Sequence, residues 1–328
     1  MAIPSGLAAQ LGIKTEEAFG TYKVPDMFFE FDSETLTRQQ QYLTSTGLKA
    51  GRMAAPVLRH KPTTRSGTGD VVMKVPNKGF GRWLNLLHGN VVTPAKQGST
   101  AAYKQVHAIG TSAPLGKSLT CQVGKPDVTG TVQPFSYIGT KITQAVFSCD
   151  TGAELMATLS LNARDVVTAE ALAVASYPTG ITSFDFVSGE IKVGADTLAI
   201  VPSANLTIPL PQKVDRFGLG SGALAAEPLP NDYIRPTGSM SMEFSGLTQY
   251  NHFTNCDSVK VVLGFTGATI AESFKETFKI EMPAVHFTGD TPQVGGPDIL
   301  IPDWSFEVFD NGTEAPISIE YMSVDATL

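Results

Sequence analysis

The residues of this chain that could do chemistry are five histidines, three cysteines and a few spaced carboxylates, and their spacing assembles no known reactive set. His60, His88, His107, His252 and His286 have no second His or Cys at metal-ligand spacing. His286 lies in a strand-like run, where a hydrogen-bonded structural histidine is expected. Cys121, Cys149 and Cys256 are odd in number and far apart, which fits neither a disulfide framework nor a zinc site, so reduced thiols are expected. Gly218-Leu219-Gly220-Ser221-Gly222 lacks the G-x-G-x-x-G spacing and the preceding strand of a dinucleotide site. Neither a Walker-type phosphate loop nor a G-x-S-x-G elbow occurs. Asp303 with Glu307, and Asp290 with Asp298, have spacings an acid–base pair could use, yet both pairs fall in strand- or loop-like stretches where solvated carboxylates are expected. Asn205-Leu206-Thr207 and Asn311-Gly312-Thr313 match a glycosylation acceptor, which has meaning only in a secreted chain. The expectation is a chain with no catalysis, no cofactor and no metal.

Composition points the same way. The 328 residues suit one large domain or two medium ones, and 42% hydrophobic residues supply a core. Charged residues make up 17%, below the typical ~25%, as expected of a surface largely covered by partners. The net charge is −7 and no dense basic run exists, which argues against tight nucleic-acid binding. The longest charge-free stretch, Thr197 to Gln212, is broken by Pro202, Pro209 and Pro211 and cannot be a membrane helix. Lys14, Glu16 and Glu17 interrupt the N-terminal region, so no signal peptide is expected and a reducing cytoplasm is the simplest setting.

The elements that would position any site are strands. Gly238 to Phe244 puts Met240, Met242 and Phe244 on one face and Ser239, Ser241 and Glu243 on the other. Gly69 to Val75 does the same with Val71, Met73 and Val75 against Asp70 and Lys74. Ser118 to Val123 places Leu119, Cys121 and Val123 opposite Ser118, Thr120 and Gln122. Thr277 to Met282 places Phe278, Ile280 and Met282 opposite Thr277, Lys279 and Glu281. Between the two strands of each half a short helix is predicted, over Lys78 to His88 and, less regularly, over Leu247 to Asn255. Looser likenesses join Phe29-Glu30-Phe31 to Phe184-Asp185-Phe186, and Gly51 to Pro56 to Gly222 to Pro228. The order predicts a tandem duplication, residues 1–172 and 173–328, with loop insertions between the copies.

Two segments lack strand-like periodicity. Residues 44–68 carry Lys49, Arg52, Arg59, His60, Lys61 and Arg65, and residues 212–237 carry Lys213, Arg216 and Arg235. Each is too long for an idle connection, so functional arms are expected.

The ordered set resembles the major tail tube proteins of long, non-contractile-tailed (siphovirus) bacteriophages. Glu17-Ala18-Phe19-Gly20-Thr21-Tyr22 is similar to that family's E-x-x-[YF]-G-T segment, followed by Pro25 and a strand from Met27 to Phe31. Gly79 to Gly89 resembles its G-x-x-x-L-L-x-x-x-x-G helix, and Phe135 to Gly139 with Leu155 to Leu161 its Y-x-G strand and partner. The resemblance implies a mainly β fold: a duplicated β-sandwich or partial barrel with a short helix per half and long loop arms. It implies a virion protein of the tail, assembled in the host bacterial cytoplasm, whose rings stack through an arm around a channel for genome ejection. With the fold doubled, three chains would supply a pseudo-six-fold ring; a homo-hexamer is the alternative. Implied partners are further copies of the chain, tape-measure, terminator and distal tail proteins, and double-stranded DNA passing without specific contact. Asp70, Lys74, Ser118, Thr120, Gln122, Ser239, Ser241, Glu243, Lys279 and Glu281 are the expected channel-facing residues. The competing readings are a carbohydrate- or receptor-binding β-sandwich of a tail appendage, which would be expected to expose aromatics, and a hydrolase, for which no catalytic set occurs.

Overall fold

The computed structural model describes residues 5–90, 92–198, 200–289 and 291–328. Asp290, one of the spaced carboxylates, lies outside the described residues. In chain order the strands of the first part are β1 (Gln10–Thr15), β2 (Met27–Phe29), β3 (Ser33–Glu34), β4 (Thr37–Thr44), β5 (His60–Lys74), β6 (Ala95–Lys96), β7 (Tyr103–Ile109), β8 (Leu119–Pro126), β9 (Val132–Asp150), β10 (Met156–Ala163) and β11 (Asp165–Val167). They continue with β12 (Gly189–Val193), β13 (Asp196–Thr197), β14 (Ser203–Pro209), β15 (Gln212–Lys213), β16 (Leu229–Pro230), β17 (Thr237–Ser241), β18 (Val259–Ala271), β19 (Phe274–Phe287), β20 (Asp303–Val308) and β21 (Ile317–Ser323). The helices are α1 (Gly81–Leu84) and α2 (Thr248–Asn255).

Alternation makes these strands one-sided. In β20 Trp304, Phe306 and Val308 are buried while Asp303, Ser305 and Glu307 are exposed. In β10 Ala157, Leu159, Leu161 and Ala163 are buried and the residues between them are half-exposed. Such strands pair apolar face to apolar face in two layers. The first layer runs β4–β5–β10–β9–β14–β17–β20, antiparallel throughout. β20 then pairs with the end of β19, at Val285 to Phe287. The β18–β19 register slips between Val259 and Val261, beside Pro283, and the sheet turns there into the second layer. That layer runs β13–β12–β18–β19–β21–β7–β6. Phe147 of the first layer meets Phe278 of the second with ring centroids 5.4 Å apart, and Phe80 touches both. Full burial of each such ring stabilises by about 1.5–3 kcal/mol.

A smaller sheet, β2–β1–β8–β9–β11, uses the first half of β9. The strand bends between the sheets at Gly139, whose φ is +63°. A Cβ there would lie 2.8 Å from the Arg164 side chain, so the bend requires glycine.

The helix predicted over Lys78 to His88 is shorter than expected, with α1 covering four residues and turns carrying the chain on to Leu87. Phe80, Trp83, Leu84 and Leu87 are nevertheless all buried, so packing rather than helix length is what their spacing encodes. Glycines at 79, 81 and 89 lower the helical propensity at both ends. Phe184-Asp185-Phe186 is only partly strand-like: Ser183 and Asp185 make isolated bridges with Pro76 and Glu154 before the chain turns. Asp185 caps a 3-10 turn through a reciprocal bond with Ser188.

The connection between β11 and β12 contains residues 172 and 173, and the main sheet crosses that point twice. β14 pairs with β9 from Ser203–Asp150 to Pro209–Gln144, and β21 pairs with β7 from Ile317–Ile109 to Ser323–Tyr103. Side chains tie the same seam: Asn77 donates to Glu276 at 2.7 Å and the Tyr321 hydroxyl to the Pro76 carbonyl at 3.0 Å.

Candidate assembly surfaces

The apolar faces of the two layers meet, so their polar faces point away from each other. On the first layer, adjacent rows of residues cross the strands. One row runs Lys74, Met156, Ser148, Asn205, Ser239 and Ser305. Another runs Asp150, Ser203, Ser241 and Asp303. The Asn205 amide donates to the Ser239 hydroxyl at 2.7 Å, Ser203 and Ser241 share a bond of 2.9 Å, and Ser241 donates to Asp303. Asp70 and Glu307 lie in neighbouring rows. The lysine of this face, Lys74, is held by Glu154 at 2.8 Å, and that bond raises its pKa. The surface is therefore a carpet of hydroxyls and amides with carboxylates and one paired ammonium.

The second layer's outer face carries a ladder of ion pairs instead. Lys279 reaches Glu281 at 3.0 Å and Glu320 at 3.3 Å, Lys260 reaches Glu281 at 3.0 Å, and Lys104 reaches Glu320 at 2.7 Å. Burial works against the Lys279 ammonium, but the bond to Glu281 and the charge of Glu320 outweigh it and raise its pKa. Burial likewise works against Glu281, and its two lysines bring its pKa below the usual value.

The residues expected to face a channel thus divide. Asp70, Lys74, Ser239 and Ser241 share the first layer's outer face. Lys279 and Glu281 lie on the second layer's. Glu243 follows the end of β17, half-buried, with its N–H on the Ile200 carbonyl. Ser118, Thr120 and Gln122 face no solvent and cannot line a channel, because all three are buried. The polar side of β8 is roofed by residues 16–23 and 171–173. Glu16 accepts from Ser118 at 2.6 Å, Thr120 at 2.9 Å, the Gly139 N–H at 2.9 Å and the Gly20 N–H at 2.8 Å. Gln122 donates to the Ala171 carbonyl at 3.0 Å and accepts from the Ala173 N–H at 2.8 Å. These are satisfied interior groups. The carboxylate that organises the E-x-x-F-G-T segment is Glu16, not Glu17, which pairs with Lys23 at the surface.

The two arms also differ. Residues 44–68 are not an irregular loop: His60 to Thr68 belong to β5 and pair with β4, from Thr44–His60 to Thr37–Thr68. Gly69, at φ +147°, lets the hairpin leave the sheet where a Cβ would lie 2.4 Å from the Thr35 carbonyl oxygen. Arg65 anchors the base by an ion pair of 3.0 Å to the buried Asp165, and its N–H bonds the Ala223 carbonyl. Beyond it, His60 stacks on Tyr42 at 4.8 Å and Arg59 donates to the Gly47 carbonyl. Lys49, Arg52 and Lys61 are exposed, as are Leu48, Met53, Val57 and Leu58 at the tip.

The arm over 212–237 is folded back on the chain. Arg216 donates to the Glu227 carbonyl, Lys213 pairs with Asp215 at 3.0 Å, and Arg235 faces Asp232 at 3.7 Å. Glu227 takes the buried Lys141 ammonium at 2.6 Å and the Gly116 N–H at 2.7 Å. Burial pulls the Lys141 pKa down, and Glu227 partly restores it. The glycine-rich tip around Leu219 is fully exposed, and Tyr233 and Arg235 are largely exposed as well.

Asp303 and Glu307 are exposed on the outer face of β20, and Asp298 is exposed as well. Among the described residues no group of three His, Cys, Asp or Glu is placed to hold a metal, and no helix is long and apolar enough to cross a membrane. Trp83 and Trp304 are both fully buried, whereas Tyr42 and Tyr233 are exposed. A search of curated proteins returns no match. A family model described as phage tail tube protein matches residues 6–322, nearly the whole chain. A mainly β, two-layered chain with one projecting hairpin agrees with that match, and the chain belongs to the phage tail tube proteins, structural components of the phage tail.

Proposed function

We propose that the chain polymerises into stacked rings that form the tube of a long, non-contractile tail, and that the first layer's outer face lines the channel through which DNA is delivered. The observation that carries this reading is the composition of that face. Its only lysine in the rows named above is neutralised by Glu154, Asp70, Asp303 and Glu307 add negative charge, and Asp150 stands at the edge of that face where the strand ends. A polyanion meets no cation to replace its counterions there, so DNA passes without sticking. The salt-laddered second layer is left for the outside of the tube or for contacts between chains.

The duplicated organisation, 1–172 and 173–328, supports three chains per ring, each giving two similar units, with a homo-hexamer as the alternative. Each half contains a long arm, a one-sided strand (β5, β17) and then a helix (α1, α2). Three chains carry three times −7, or −21, against −42 for six. A heterologous contact that closes makes the ring and joins strand edges that would otherwise be exposed. The tube would be assembled in the host bacterial cytoplasm with tape-measure, terminator and distal tail proteins. The chain is expected to catalyse nothing and to need no cofactor. Negative-stain electron microscopy of the concentrated protein tests the reading. Tubes or stacked rings are the expected result, and dispersed monomers at every concentration and salt would overturn it.

A further inference from the structure

The first arm and a groove on the far edge of the first layer are complementary in shape and charge. β5 enters the layer opposite Ala163 at Gly67 and leaves it opposite Met156 at Lys74. Met156 is opposite Ser148, and Ser148 is opposite Asn205. The arm therefore projects from one edge, and the segments beyond Ser148 and before Asn205 form the other. At that other edge a groove of about 430 Å³ opens between the layers, floored by Phe147, Leu263, Phe265 and Ile280. Asp150 and Glu190 line it, and no lysine or arginine does. Asp185 lies close enough to act on Cys149 in the same groove, and Lys192 pairs with Glu190 from outside.

The arm has the opposite character. Residues 35–69 contain six cations, Arg38, Lys49, Arg52, Arg59, Lys61 and Arg65, and no Asp or Glu. The whole chain has 24 cations and 31 carboxylates, so the remainder holds 18 against 31, a net of −13. At the tip Leu48 and Met53 are fully exposed and Val57 and Leu58 nearly so, a cluster with no cover in its own chain. A cavity of about 550 Å³, lined by Leu210, Val308 and Phe309, opens on the edge from which the arm itself leaves. A copy stacked head to tail would not present it to the arm.

We propose that residues 45–59 of one copy seat their apolar side chains in this groove of a copy in the adjacent ring, with Lys49 and Arg52 against Asp150 and Glu190. The inference rests on the tube reading and names the surface that joins the rings. The contact is heterologous and does not close, so it grows along the tube axis. Charge sets register and encounter rate while the apolar tip supplies most of the affinity.

Charge exchange tests it. The Asp150→Lys, Glu190→Lys chain should fold, by circular dichroism, and lose tube formation roughly tenfold or more through like-charge juxtaposition. Adding Lys49→Glu and Arg52→Glu should restore it. Met53→Cys in a Cys256→Ser background gives an independent readout. A short bismaleimide applied to tubes should link position 53 to Cys149 of another copy, and adding Cys149→Ser should abolish the link. Burial pushes the Cys149 thiol up to about 11, so the reaction is run at mildly alkaline pH. Normal tubes from the doubly reversed groove, or tubes with no link between 53 and 149, overturn the groove assignment and leave the tube reading standing. A wild-type chain that stays monomeric overturns both.

Discussion

The two arms contain similar residues and treat them in opposite ways. The arm over 212–237 satisfies its charges within its own chain: Glu227 on Lys141, Lys213 on Asp215, Arg216 on a carbonyl. The hairpin of β4 and β5 is anchored at its base by Arg65 and thereafter leaves cations and apolar side chains in water. A segment whose polar groups are paired internally contributes stability. One that leaves them unpaired on a stiff hairpin is preorganised for another surface, because less ordering is needed on binding. On the proposed reading, the absence of internal carboxylate partners, rather than length or basic residues, marks the assembly arm.

The largest expected effect separates assembly from folding. Replacing residues 45–59 by an Asn-Gly turn, which suits a two-residue hairpin, should abolish tubes while Tm stays within about 2 °C, since surface changes of this kind are close to neutral. Tubes of normal length from this chain would break the comparison. A deletion running on to Arg65 would test this less well, because it removes strand pairs of β5 and the Arg65–Asp165 contact.

The folded-back arm should show the reverse. Glu227→Ala leaves the Lys141 ammonium buried with the Pro114 carbonyl as its remaining hydrogen-bond partner, and should cost about 3 kcal/mol in denaturant unfolding. Lys141→Met on that background should recover much of the loss, because the uncompensated charge is then gone. An effect below about 0.5 kcal/mol would mean that this arm, too, is free.

Acid should act on the body, where two histidines are buried. His88 and His107 share a bond of 3.1 Å beneath β7. Burial, with Lys117 nearby, pulls His88 down to about 4. Burial, then His88 and Lys117, pulls His107 down to about 3. Both are bases depressed in the folded state, so below the ordinary value of 6.5 the unfolded chain binds more protons. Stability is complete above that pH and is lost as pH falls toward 4 and then 3, at up to about 1.4 kcal/mol per pH unit for each histidine. His107→Gln should flatten the slope measured between pH 6.5 and 4; an unchanged slope would assign it to other groups. The smallest effect is at the hinge between the regions. Arg65→Ala should cost about 1 kcal/mol, since the guanidinium is partly exposed, and should shorten tubes without abolishing them.

Much of this was legible as alternation. Val71, Met73 and Val75, and Phe278, Ile280 and Met282, are buried as their period-2 pattern assigns, and Phe80, Trp83, Leu84 and Leu87 are buried although α1 is only four residues long. The polar half of β8 has the same pattern but a different cause: Thr120 and Gln122 face a roof of residues 16–23 and 171–173, which lie far away in sequence. Periodicity reports two faces and does not say what covers them. The hairpin was illegible because His60 to Thr68 contain proline, glycine and threonine rather than an apolar stripe, and a strand with no buried face leaves no such stripe. The groove joins β9, β12, β14 and β18, a juxtaposition that only the turn of the sheet at Pro283 creates.

The central claim is that the first layer's outer face lines a tube built from this chain, and a cryo-electron microscopy reconstruction of assembled tubes tests it most directly. The expected density places Asn205, Ser239 and Ser305 on the channel wall, three chains in each ring, and residues 45–59 crossing to the next ring. Density with Lys279, Glu281 and Glu320 lining the channel, or with six full chains per ring, would contradict the account.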